Sequence, residues 1–227
     1  MIPLAVIRAE PGASASVAAA RAQGLEAAAY PLFEVQPAAW AAPAPDAIDA
    51  LLIGSANALR HGGAALAHYR QKPVYAVGET TAQAAREAGF GVVLVGEGGL
   101  QQLLAKVAPE HRRLLRLAGN ERITLDPGTC AIIERVVYKV TPLAMPPALR
   151  TLLTAGAAVM VHSAAAALRL AAECSPPVRS KVAIALIGPR LLEAAGTGWA
   201  AIAVAARPDE RALLAAASGL CQERAET

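Results

Sequence analysis

The chain has 227 residues, long for one α/β domain and comfortable for two of roughly 100 residues each. Its hydrophobic fraction of 55% is set largely by alanine, about a quarter of the chain, and no apolar run approaches the ~18 residues of a membrane span, so a soluble protein off the membrane is expected. Net charge is only +3 with the basic residues scattered, which argues against a nucleic-acid partner while suiting a small polyanionic ligand.

In chain order, short apolar runs alternate with alanine-rich helical stretches, the βαβ rhythm of parallel sheets covered by helices. Residues 4–8 read as a strand, 14–23 as a helix ending at Gly24, and 27–35 as extended chain. After the Pro43-Ala44-Pro45 loop come strand 50–53, a helix from Ala56, strand 74–77, helix 80–88, strand 92–95, helix 100–107 and strand 114–117. A longer extended stretch covers 131–140. From Pro146 the pattern is helix, strand 157–161, helix from Ala164, strand 182–187, helix to Ala195 and strand 200–204. Pro208-Asp209-Glu210 opens the last helix, whose apolar face is Leu213, Leu214, Ala217 and Leu220.

A repeat emerges when Val74-Tyr75-Ala76-Val77-Gly78 is laid on Ile184-Ala185-Leu186-Ile187-Gly188, each followed by a helix and then by Gly89-Phe90 or Gly198-Trp199. Upstream, Leu51-Leu52-Ile53-Gly54-Ser55 matches Val159-Met160-Val161-His162-Ser163. The period of about 109 residues is too long for a solenoid and implies a duplicated domain.

Ser55 and Ser163 each stand where an apolar strand runs into a helix, the edge at which open α/β sheets bind ligands. The first N–H groups of a helix are natural carboxylate receptors, and the same serines suit simple N-caps. Gly78 and Gly188 also join strand to helix, where a missing side chain serves either a tight turn or close approach of a ligand. Gly96-Glu97-Gly98-Gly99 lacks the residues of a phosphate loop and reads as a turn. His61, His68, His111 and His162 have no ligand spacing, and Cys130, Cys174 and Cys221 form no C-x-x-C, so neither a metal nor a disulfide framework is expected. The first seven residues lack the basic start of a signal peptide, and the cytoplasm is the expected compartment. From the residues alone the chain reads as a two-domain binder of a small anion.

The ordered segments Leu4-Ala5-Val6-Ile7-Arg8, Pro31-Leu32-Phe33-Glu34, Gly54-Ser55-Ala56-Asn57-Ala58 and Val77-Gly78-Glu79-Thr80-Thr81-Ala82 continue through Arg116-Leu117-Ala118-Gly119-Asn120-Glu121-Arg122, Val137-Tyr138-Lys139-Val140-Thr141-Pro142-Leu143 and Ile187-Gly188-Pro189. Together, along essentially the whole chain, they resemble the uroporphyrinogen-III synthase family. The resemblance implies two parallel-sheet, flavodoxin-like α/β domains joined by a two-stranded antiparallel linker. The first would comprise 1–33 and 144–227 and the second 38–135, with linker strands at 32–37 and 136–143 and the active cleft between the domains.

It also implies a cofactor-free lyase acting as a monomer on a linear tetrapyrrole, hydroxymethylbilane, with hydroxymethylbilane synthase as a transient partner. Loss of the substrate's terminal hydroxyl gives an azafulvene; ring D attacks through its substituted carbon to form a spiro intermediate, which fragments and recloses inverted. Unaided closure proceeds without inversion, so holding the substrate in the right conformation is the main task. The family's linker tyrosine falls on Tyr138, implied as the catalytic general acid. Ser55, Asn57, Gly78, Thr81, Ser163 and Gly188 match substrate-binding positions, with Arg8 and Arg122 as further candidates. After Ile-Gly-Pro, where relatives often carry a hydroxyl residue, this chain has Arg190-Leu191-Leu192, with Arg190 offering charge instead. His162 likewise replaces a smaller or hydroxyl residue. The competing readings are a non-enzymatic two-domain binding protein and a degenerate synthase kept as a scaffold.

Overall fold

Runs such as Ala50-Leu51-Leu52-Ile53 and Ala158-Val159-Met160-Val161 are apolar at every position, and all eight residues are buried. Such strands require cover on both faces of the sheet. The computed structural model describes residues 2–223, so Met1 and residues 224–227 of the expected first domain lie outside the described residues.

The elements are β1 (Leu4–Val6), α1 (Gly12–Ala22), β2 (Ala27–Ala29), β3 (Phe33–Pro37), β4 (Ala50–Ile53), α2 (Ala56–His61), β5 (Val74–Val77), α3 (Glu79–Glu87), β6 (Val92–Gly96), α4 (Leu100–Leu104), β7 (Arg113–Gly119), β8 (Ala131–Pro142), α5 (Pro147–Ala155), β9 (Ala158–Val161), α6 (Ala164–Glu173), α7 (Pro176–Arg179), β10 (Ala183–Leu186), α8 (Leu192–Ala195), β11 (Ala201–Val204) and α9 (Glu210–Glu223). The chain divides into unit 1, Met1–Glu34 with Pro142–Thr227, and unit 2, Val35–Thr141.

Unit 1 carries a parallel sheet in the order β11-β10-β9-β1-β2. One face packs on α5, α6 and α8 through Leu149, Leu153, Leu170 and Ala195, the other on α1 and α9 through Val17, Leu213 and Leu220. The second sheet runs β3-β8-β7-β4-β5-β6, with β4 to β8 parallel. One of its faces buries Leu59, Ala82 and Ala85 of α2 and α3, the other Leu103 and Leu104 of α4. Both are three-layer α/β sandwiches.

The repeat has a counterpart in register. Leu51 pairs with Val74 and Val159 with Ile184, so the matched strands lie side by side in the same phase. Beyond them, β6 flanks β5 as β11 flanks β10, and β7 and β8 stand beside β4 as β1 and β2 stand beside β9. The two sheets share one spatial order reached by different chain routes.

Several elements depart from expectation for local reasons. The helix expected over 100–107 ends at Leu104, because Lys106 and Val107 turn back to Leu103 and Leu104 in tighter three-residue bonds. The helix from Ala56 stops at His61 before Gly62-Gly63, and a 3-10 turn follows at Ala64–Tyr69. Extended chain over 27–35 is really β2 and β3, strands of different sheets separated around Pro31, which has no N–H to donate. The helix before Gly196 is a 3-10 turn, Pro189–Leu191, continuing into α8. No signal anticipated α7, which Pro176 and Pro177 open at its first turn. Among the described residues, no helix is long and apolar enough to cross a membrane.

Candidate active site

In a doubly wound sheet the ligand crevice opens at the carboxyl ends of the two strands where the order reverses. In unit 1 these are β1 and β9, which lead into Arg8 and into His162-Ser163. In unit 2 they are β4 and β7, which lead into Ser55 and into Gly119-Asn120.

Both serines cap helices. The Ser55 hydroxyl oxygen accepts from the Asn57 N–H at 3.3 Å, and that of Ser163 accepts from the Ala166 N–H at 3.2 Å. Each cap contributes about 1 kcal/mol, and each hydroxyl still has its own proton to donate. Ser163 is exposed, Ser55 and Asn57 half-buried, and Thr81 buried in the first turn of α3.

The two glycines differ. Gly78 has φ +74°, a left-handed backbone that a side chain rarely adopts, so the turn itself requires glycine. Gly188 is extended at φ −176°, and a Cβ there would meet nothing within 4 Å. Nothing in its backbone demands glycine. Beside it Arg190 is exposed, whereas Leu191 is 1% exposed and belongs to the core.

At the unit 1 crevice, three side chains converge on Glu210 at the start of α9. Arg8 Nη1 donates to Oε2 at 2.9 Å, His162 Nε2 lies 3.0 Å from the same oxygen, and the Ser16 hydroxyl donates to Oε1. Burial pushes the His162 imidazole below the ordinary histidine range against the pull of Glu210, leaving it neutral at pH 7. Burial also works to raise Glu210, but hydrogen bonds from His162 and Ser16 and the Arg8 charge outweigh it and hold the carboxyl below its usual value. An ionised carboxylate only accepts, so the His162 proton sits on Nε2 and the buried Nδ1 is a lone pair with no partner among the described residues. Arg8, with 38% of its side chain exposed, keeps guanidinium donors free beyond the one spent on Glu210.

At the unit 2 crevice, the Tyr138 ring lies against Gly119: a Cβ on Gly119 would come within 2.6 Å of Tyr138 Cε2. The His61 ring, at the end of α2, is 6.4 Å from the Tyr138 ring between centroids. Burial and, secondarily, Arg60 lower the His61 pKa, so it too is neutral at pH 7. No hydrogen bond engages the Tyr138 hydroxyl among the described residues. Arg122 is already committed, its Nε to Glu134 and its Nη1 to the Asn120 carbonyl at 3.0 Å.

Thus Arg8, Ser163 and Gly188 share the carboxyl edge of one sheet, and Ser55, Asn57, Gly78, Thr81 and Tyr138 that of the other, while Arg122 sits in an ion pair on the loop after β7. Sequence reasoning missed Glu210 as a partner of Arg8, since it was legible only as an acid in a first helical turn. It also missed His61 and Asn120. Among the described residues, no three His, Cys, Asp or Glu side chains group as metal ligands.

A family model described as uroporphyrinogen-III synthase HemD matches residues 14–215. No curated protein matches the chain in sequence. Among solved structures, uroporphyrinogen-III synthetase from Helicobacter pylori is similar at 17% identity and a TM-score of 0.67, over 97% of this chain and 100% of that one. A mutant uroporphyrinogen III synthase from Thermus thermophilus is similar at 17% identity and a TM-score of 0.57, over 100% of both chains. At that identity the structures speak for the fold, and the sequence match, which runs through both units, speaks for the family. The chain belongs to the uroporphyrinogen-III synthase family.

Proposed function

We propose that this chain closes hydroxymethylbilane into uroporphyrinogen III chiefly by positioning, with Tyr138 as its proton donor. The observation that carries the reading is the family match over residues 14–215. The substrate is a flexible chain of carboxylates whose unaided closure gives the uninverted ring, so the catalyst must favour attack through the substituted carbon of ring D. The groups available suit that work. Ser55 and Ser163 offer hydroxyl protons, Gly188 an unobstructed backbone, Gly78 a strand-to-helix turn, and Arg8 spare guanidinium donors. Asn57, Thr81 and Arg122 are secondary contacts, Thr81 limited by its burial and Arg122 by its ion pair.

Departure of the substrate's hydroxyl needs a proton, because hydroxide is a poor leaving group. The Tyr138 phenol donates it; the C–O bond breaks, water leaves, and the terminal pyrrole N–H gives a proton back to the phenolate as the azafulvene forms. Spiro closure, fragmentation and reclosure then follow with no further protein atom bonded to substrate, and no cofactor enters the scheme. The reaction runs in the cytoplasm, where transient encounters with hydroxymethylbilane synthase shorten the substrate's exposure to unaided closure.

The test supplies freshly made hydroxymethylbilane and separates the oxidised products by isomer. Mostly type III is expected, whereas type I alone at the protein-free rate leaves only the binding-protein or scaffold readings. Tyr138→Phe is expected to lower type III formation ~10²- to 10⁴-fold while product affinity changes little. A loss nearer tenfold assigns the hydroxyl to a neutral positioning bond, and full activity removes it from the mechanism.

A further inference from the structure

Strand β8 reverses its phase at one point. Before it, Ile133 and Val137 face the α2 and α3 side of the sheet, while Ile132 faces α4. After it, Tyr138 and Val140 also face α2 and α3, so the consecutive residues Val137 and Tyr138 are buried in one cluster. Simple alternation would send Tyr138 to the α4 face.

The cause is a bulge. Ala118 pairs with Val136, but the next residue, Gly119, pairs with Tyr138, and Val137 is the extra residue. Two bonds from one residue follow it directly. The Asn120 N–H donates to the Tyr138 carbonyl at 3.1 Å, and the Asn120 side-chain carbonyl accepts from the Val140 N–H at 2.7 Å. Asn120 thus clasps the strand immediately after Tyr138, from its carbonyl to the Val140 N–H, at the carboxyl end of β7 where the crevice opens. Gly119 leaves the space that the ring occupies.

We propose that Asn120 is a positioning residue, whose clasp on the bulge holds the Tyr138 phenol on the α2 face beside His61. This rests on the reading of Tyr138 as proton donor and deepens it. Asn120 touches no reacting atom. Its side-chain amide serves the reaction only by fixing the backbone that follows the tyrosine, at the Val140 N–H.

The test compares Asn120→Leu, which removes the acceptor at similar volume, with Asn120→Asp, which keeps an oxygen for Val140. Asn120→Leu should lower kcat roughly 10- to 100-fold with KM within about twofold, and Asn120→Asp should restore kcat to within about threefold of the parent. In a Tyr138→Phe background Asn120→Leu should cost less than about twofold more, because both changes remove one contribution. The ring signal of ¹³C-labelled Tyr138, identified among the four tyrosines by its loss in Tyr138→Phe, should move in Asn120→Leu and stay in Asn120→Asp. An unmoved signal in Asn120→Leu, or a full additive loss in the Tyr138→Phe background, overturns the proposal. If Tyr138→Phe is fully active while Asn120→Leu moves the signal, the proton-donor reading falls and the clasp stands. Should Asn120→Leu not fold, Asn120→Ala takes its place in the same cycle.

Discussion

His162 is neutral and buried beside an ionised Glu210, and that pairing makes the protein sensitive to mild acid. Its folded pKa lies below the ordinary histidine value of about 6.5, so below that pH the unfolded chain takes up the proton more readily. Stability is therefore full above about 6.5 and is lost as pH falls through the folded value. Glu210, also depressed, adds a second loss at lower pH. Urea unfolding between pH 7.5 and 5 should show the stability of the parent falling by up to about 1.4 kcal/mol per pH unit from this one proton. His162→Gln keeps an N–H for Glu210 without the titration and should flatten the slope; equal slopes in both proteins would clear His162. The serine caps were legible in sequence, because Gly-Ser or His-Ser before an alanine run is a local signal. The Arg8, His162, Glu210 and Ser16 cluster was not, since its members follow β1 and β9 or sit in α9 and α1 and meet only once the sheet has formed.

At the scale of elements, two glycines that look alike in the repeat should respond oppositely to alanine. Gly78→Ala forces a side chain into φ +74° and should destabilise by about 1–3 kcal/mol. Gly188→Ala, extended and unobstructed, should leave thermal stability within about 1 kcal/mol. If Gly188 receives substrate on its backbone, the same variant weakens product binding. Calorimetry with a product-binding titration separates the two, and a large stability loss at Gly188 would contradict its extended, unobstructed backbone. The buried parallel strands were readable because their apolar runs need no phase: β4 falls on the residues expected, 50–53. The bulge in β8 was not, because Ile132, Ile133, Val136, Val137 and Val140 put apolar residues on both phases and hide the reversal.

For the molecule as a whole, unit 2 is one continuous stretch with cores on both faces of its sheet. Residues 35–141 expressed alone should therefore unfold cooperatively in urea and keep a near-ultraviolet dichroism signal. A gradual transition without that signal would mean that this core depends on the rest of the chain. The α/β class and the internal repeat were visible in the sequence, but which strands of the repeat share a sheet was not, because the period carries no record of pairing partners. The shared spatial order has a further meaning once the strands are read as a tandem. β1, β2, β4, β5 and β6 form one copy of a five-strand domain with β3 as an addition, and β7, β8, β9, β10 and β11 form the next. Neither copy makes its own sheet: the first two strands of each join the last three of the other. The chain is in effect a domain-swapped dimer written as a single polypeptide, its reciprocal exchange made permanent by the peptide bonds that run from β6 into β7.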